Sequence, residues 1–178
     1  MRIFVSKGLF ILILLIATHV YSKENYSWSI EKVNEKNVLV SINGKIQYGD
    51  MLYFYIPSSN CNSVENLFTF YTTTNNNKLD SLKSKPIPLT INNFDTYGEI
   101  RFMFPMLMGH QIWISLGNYN LDTLVKHLSD YDTLNVEIAN GESFIPAEYF
   151  DISFNIWPLK GLHKAIDDGK TLCLASSS

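Results

Sequence analysis

The feature that most constrains this chain is a two-residue alternation of apolar and polar side chains that returns along most of its length. Val38, Val40 and Ile42 alternate with Leu39 and Ser41, and Leu52, Phe54 and Ile56 with Met51, Tyr53 and Tyr55. Ile100, Phe102 and Phe104 alternate with Arg101 and Met103; Ile112, Ile114 and Leu116 with Trp113 and Ser115; Leu134, Val136 and Ile138 with Asn135 and Glu137. Near the end, Phe150, Ile152, Phe154 and Ile156 are set against Asp151, Ser153 and Asn155. Successive side chains of a strand point to opposite faces, so runs of this kind, rich in β-branched and aromatic residues, read as half-buried strands. Most of the domain is therefore expected to be sheet.

Turn and helix signals fill the gaps. Asn43-Gly44 and Asn140-Gly141 predict tight hairpins, because both central residues of a type I′ turn need positive φ. The second would lead into a strand beginning near Ser143. The polar stretch Thr72–Lys85 reads as a loop. Leu121, Leu124, Val125 and Leu128 follow a helical stripe behind Asn120, a suitable N-cap. A second helix is expected after Pro158, burying Leu159, Leu162 and Ile166 and ending at Gly169. The expected fold class is mainly β (α+β): an antiparallel sandwich or partly open barrel of eight to ten strands with two short helices, filling residues 23–178 as one β-rich domain.

The N-terminus reads as an export signal. Arg2 and Lys7 precede the apolar run Leu9–Ala17, and Val20-Tyr21-Ser22 offers modest side chains for cleavage after Ser22. A bilayer span takes about 20 apolar residues, roughly twice what this run holds, so a signal peptide over residues 1–22 fits better than an anchor. Nothing later in the sequence is long enough to span a membrane. Cleavage would remove Arg2 and Lys7, leaving 12 basic residues against 17 acidic ones and a net charge of −5. Arg101 would be the one remaining arginine, which argues against nucleic acid as a partner. The expected place of work is the periplasm or the extracellular space. In an oxidising compartment an isolated pair, Cys61 and Cys173, is expected to form a disulfide. A sequon at Asn25-Tyr26-Ser27 would matter only in a eukaryotic secretory pathway.

No catalytic or metal motif emerges, and no cofactor is implied: there is no Gly-rich phosphate loop, His-Glu-x-x-His or Gly-x-Ser-x-Gly. His127 and His163 lie beside the apolar stripes of the expected helices, and His110 follows Gly109 in a turn. The acid pairs Asp130 with Asp132 and Asp167 with Asp168 are explained by turn chemistry and an exposed helix end. Two apolar features stand out instead. Tyr53, Tyr55, Trp113 and Trp157 fall opposite the presumed core side of their strands and could form a binding face. Phe102-Met103-Phe104-Pro105-Met106-Leu107-Met108 brings Met103, Met106 and Met108 together around a proline. It reads either as a strand end and turn packed into the core, continuing the Ile100–Phe104 alternation, or as an adaptable hydrophobic contact surface.

The C-terminal half adds a resemblance. Gln111–Leu116 leads into the helix Asn120–Leu128, then the strand Thr133–Ile138, and then Phe154-Asn155-Ile156-Trp157-Pro158-Leu159-Lys160-Gly161-Leu162-His163-Lys164-Ala165-Ile166. Over residues 110–168 this order resembles bacterial periplasmic proteins of the invasion-associated locus B type, which end in a similar strand, Leu-Lys-Gly-apolar step and short helix. Those proteins commonly carry cysteines before the first of these helices, whereas this chain has none there. The resemblance implies an exported β-rich module without known catalytic residues, linked in some relatives to host-cell interaction. The function expected is a non-catalytic binding or accessory module with a protein or cell-envelope partner. The alternatives are an inhibitor or accessory subunit of an exported enzyme, and a small hydrolase whose acids converge only in three dimensions.

Overall fold

The computed structural model describes residues 26–176, except 35, 48, 75 and 84. The expected signal peptide, its cleavage site at Ser22 and Asn25 of the sequon lie outside the described residues. The described residues form nine strands: β1 (Ser29–Val33), β2 (Asn37–Asn43), β3 (Met51–Ile56), β4 (Ser63–Thr72), β5 (Pro86–Ile91), β6 (Phe94–Met106), β7 (Gly109–Asn120), β8 (Thr133–Ile138) and β9 (Phe154–Pro158). Six of them lie on the alternating segments and three, β1, β4 and β5, outside them. They build one antiparallel sheet in the order β1-β2-β3-β4-β7-β6-β5-β8-β9, curled into a half-barrel. The mainly β, partly open architecture is thus the one that the alternation predicts.

Among the described residues, three α-helices contribute buried residues to the same core as the sheet. A one-turn helix α1 (Asn76–Asp80) sits in the polar stretch expected to be loop throughout, anchored by buried Leu79 and Leu82. Helix α2 (Leu121–Leu128) is capped by the Asn120 side chain, which accepts from the Thr123 N–H at 3.0 Å. Helix α3 (Leu162–Ser176) buries Leu162, Ala165, Ile166 and Cys173. It does not stop at Gly169. That residue lies mid-helix, where an added Cβ would come within 2.7 Å of Val40 Cγ2 and 3.3 Å of Ile56 Cδ1. The glycine serves close helix–sheet approach, not termination, and α3 is longer than the short helix expected. Cys173 is disulfide-bonded to Cys61 across 112 residues, fastening the end of α3 to the β3–β4 connection.

Neither Asn-Gly pair forms the expected tight hairpin. Asn43-Gly44 opens a longer connection in which Gly44 N–H donates to the Asp50 carbonyl at 2.7 Å. Gly44 is required there because a Cβ would stand 2.4 Å from Asn155 Nδ2. Gly141 forms an isolated bridge with Phe144, and a 3₁₀ turn at Pro146–Glu148 follows in place of a strand from Ser143. The type I′ signature is instead at Asn92-Asn93, with φ of 46° and 71°, joining β5 to β6.

The phase of β9 is the reverse of that expected. Asn155 and Trp157 are fully buried, whereas Phe154 is exposed and Ile156 half-buried. Trp157 therefore belongs to the core, against Phe68 and Phe70, and not to a binding face. The inversion follows from a buried polar knot that closes the curl. Asn155 Oδ1 accepts from the Ile46 and Ile156 N–H groups at 3.0 and 2.8 Å, and its Nδ2 donates to Asp50 Oδ2 at 3.3 Å. Asp50 Oδ1 accepts from the Tyr71 N–H at 2.9 Å, and Trp157 Nε1 donates to the Asp50 carbonyl at 3.3 Å. These bonds replace the water that a buried amide and carboxyl lose, so a polar residue on the inner face costs little. Burial pushes the Asp50 carboxyl up to about 7, against the opposing pull of the Asn155 and Tyr71 hydrogen bonds.

Candidate functional site

The outer face of the central strands carries a cluster of rings. Tyr53 on β3 stacks on Trp113 of β7, centroids 4.3 Å apart and planes within 9°. Trp113 is met edge-on by Phe102 and Phe104 of β6, at 6.3 and 5.9 Å, and those two rings lie 5.9 Å from each other. The rings roof over Leu67 and Thr69 of β4, which are buried although they sit on the outer face. Burial, with the Glu31 charge second, pushes the Tyr53 hydroxyl up to about 12. Trp113 Nε1 is buried and has no hydrogen-bond partner among the described residues. Tyr55 shares this face, paired in register with Leu39 and Glu65.

A bulge brings Phe102 and Phe104 here. The β6–β7 register runs Ile100↔Ile114 and then Phe102↔Trp113, so Arg101 is an extra residue. The bulge changes the phase: Ile100 and Met103 pack on the core, while Phe102 and Phe104 point outward at 50% and 47% exposure. Strict alternation would have kept Ile100, Phe102 and Phe104 on one side. The alternation concealed that these two phenylalanines face outward beside Trp113, since nothing in the local sequence marks the bulge.

Beyond Phe104 the β6–β7 hairpin ends in an apolar tip. Met106 and Met108 are exposed and Leu107 is 100% exposed, so the turn itself is not packed into the core. Met103 differs from the other two methionines because it lies against the core. The base of the tip is fixed: a Cβ at Gly109 would stand 2.2 Å from the Thr72 carbonyl oxygen. His110 Nδ1 lies 3.1 Å from the Thr74 carbonyl.

The other polar candidates do not assemble into one site. His110 lines a groove with Asp80, Lys83 and Arg101; Asp130 lines a second, and Asp132 a third. Asp95 is bonded to Thr90, His163 to Asp167, and the His127 ring lies against Tyr131. Ser115 Oγ donates to Glu65 Oε1 at 2.8 Å, and Arg101 Nε reaches the same oxygen at 3.1 Å. That trio ties β4, β6 and β7 together, and its serine has a carboxylate but no imidazole as partner. An apolar groove of about 260 Å³ opens between α2 and the β5–β6 hairpin, floored by Leu116, Leu128 and Leu134 and rimmed by Phe94, Tyr119 and Tyr131. No group of three or more His, Cys, Asp or Glu placed to hold a metal occurs among the described residues. No described helix is long and apolar enough to cross a membrane. No known protein family, curated protein or solved structure matches this chain.

Proposed function

We propose that this chain is an exported, non-catalytic binding module whose contact surface is the outer ring cluster continued into the β6–β7 tip. One observation carries the reading: Phe102, Phe104, Met106, Leu107 and Met108 lie exposed within seven residues of a single hairpin. Exposed apolar patches of this kind mark interaction sites more often than they decorate a free surface. The disulfide fits an oxidising compartment, in keeping with the expected export. An inhibitor or accessory subunit of an exported enzyme would use the same surface, and the captured partner's identity separates the two.

The test is photo-crosslinking from a benzoylphenylalanine placed at Phe102, in the native extracellular or periplasmic fraction, with Leu174 as the control position. The expected result is a discrete adduct from position 102 only. An unchanged chain at both positions, or the same adducts from both, refutes the reading.

A further inference from the structure

Resting on that reading, we infer that the β6–β7 tip is a membrane-docking element that inserts Met106, Leu107 and Met108 into the interface of a zwitterionic lipid bilayer. From Phe102 to Gly109 no side chain carries a charge or a hydrogen-bonding group. Pairing with β4 ends at His110, so only Met106–Gly109 project past the sheet. Two strand residues at roughly 3.4 Å each give a projection of about 7 Å, within the roughly 5–10 Å to which interfacial apolar elements sink. The turn's backbone stays paired through Met106↔Gly109, which limits the polar groups carried into the interface.

The shape and charge of the tip select lipid over protein. Beyond the ring cluster, the three side chains of the convex tip fall by themselves far short of the about 800 Å² per partner that a stable protein interface buries, so this projecting part is matched to lipid. Strand addition along β6 is disfavoured by Pro105, which lacks an N–H and sits where β5 no longer flanks the strand. The cations bordering the groove beneath the tip are already paired, Lys83 with Asp80 at 2.7 Å and Arg101 with Glu65 at 3.1 Å. With those charges paired and a net charge of −5 on the exported chain, the tip and its surroundings offer little to an anionic surface, so a neutral headgroup layer is the matching one. Phe104, two residues behind Met106, would then follow the tip to the interface as an additional apolar anchor.

The test is co-sedimentation of the oxidised exported chain with phosphatidylcholine vesicles. Wild type is expected to bind, and Leu107→Asp to lower the partition coefficient about tenfold or more. Leu174→Gln, at an exposed site on α3, should bind like wild type. Leu107 is fully exposed, so its replacement leaves folding untouched. Binding should persist in 1 M NaCl, because the docking surface is uncharged. Absence of vesicle binding, equal binding by Leu107→Asp, or release by salt each overturns the lipid assignment. So does a vesicle-free dimer that Leu107→Asp dissolves, which would make a second copy the occupant. If vesicles fail while the crosslinker at position 102 still captures a protein, the binding-module reading survives without lipid; if both fail, both are refuted.

Discussion

Replacing Asp50 by Asn should flatten the pH dependence of this protein's stability. Asp50 is fully buried, and burial raises its carboxyl from 3.8 to about 7. Between those values the folded chain holds a proton that the unfolded chain has lost. Stability is thus fully present below about pH 4 and declines as pH rises through about 7, the sign for an acid whose folded pKa is raised. At about 1.4 kcal/mol per pH unit, the whole interval amounts to about 4 kcal/mol as an upper bound. Asp50→Asn removes the titration. It keeps one acceptor for either the Tyr71 N–H or Asn155 Nδ2 but not both, so it should lose about 1 kcal/mol at low pH. The assay is guanidinium unfolding of the oxidised chain at half-unit steps from pH 4 to pH 8. Each profile carries the contributions of the remaining groups, so the difference between the two isolates Asp50. Wild type should lose stability across the interval relative to the variant, and above pH 7 the variant should equal or exceed it. Parallel profiles would refute the argument that burial, and not the two hydrogen bonds, governs this carboxyl.

Two further predictions concern how α3 is held. Cys61→Ser with Cys173→Ser should cost roughly 4–5 kcal/mol on the chain-entropy model, since the bond spans 112 residues; chemical denaturation of both forms measures it. Gly169→Ala should destabilise by about 1–3 kcal/mol, because the new methyl meets fully buried Val40 at 2.7 Å. Helix propensity alone forecasts a gain of about 1 kcal/mol for the same change, so the sign of the measured difference in thermal unfolding decides between the two.

How far the sequence could be read follows from which interactions set each face. Where one strand face meets only apolar neighbours, as with Val38, Val40 and Ile42 or Leu134, Val136 and Ile138, alternation gives the inward side correctly. It fails in β9, where Asn155 is drawn inside by Asp50 and by two backbone N–H groups from segments remote or adjacent in sequence. A polar residue there reads as solvent-facing until its partner, more than a hundred residues away, is known. Glycines mislead in the same manner: Gly44 and Gly169 resemble a turn and a helix stop, yet each answers to a neighbour that only the fold supplies. Of the residues expected at a binding face, Tyr53, Tyr55 and Trp113 lie on the outer side and Met106 and Met108 at the tip. Trp157 belongs to the interior, and Met103 is partly buried against the core.

The bulge at Arg101 yields the last and sharpest prediction, because it separates what the sequence pattern demands from what the register demands. Read as a pattern, deleting Arg101 should be ruinous, since it breaks the alternation of Ile100, Phe102 and Phe104. Read from the register, Arg101 is the one residue of β6 without its own partner between Ile100↔Ile114 and Phe102↔Trp113. Removing it lets the ladder continue with Ile100 inward, Phe102 outward, Met103 inward and Phe104 outward, the arrangement already present. What is lost is the ion pair to Glu65, on a side chain that is 55% exposed, worth about 0–1 kcal/mol. Ser115 still donates to Glu65. The deletion should therefore fold, lose less than about 2 kcal/mol and retain the stacked Tyr53–Trp113 environment, visible in near-ultraviolet circular dichroism. Loss of folding, or of that aromatic signal, would mean that the bulge's added twist and not its phase holds the ring cluster together.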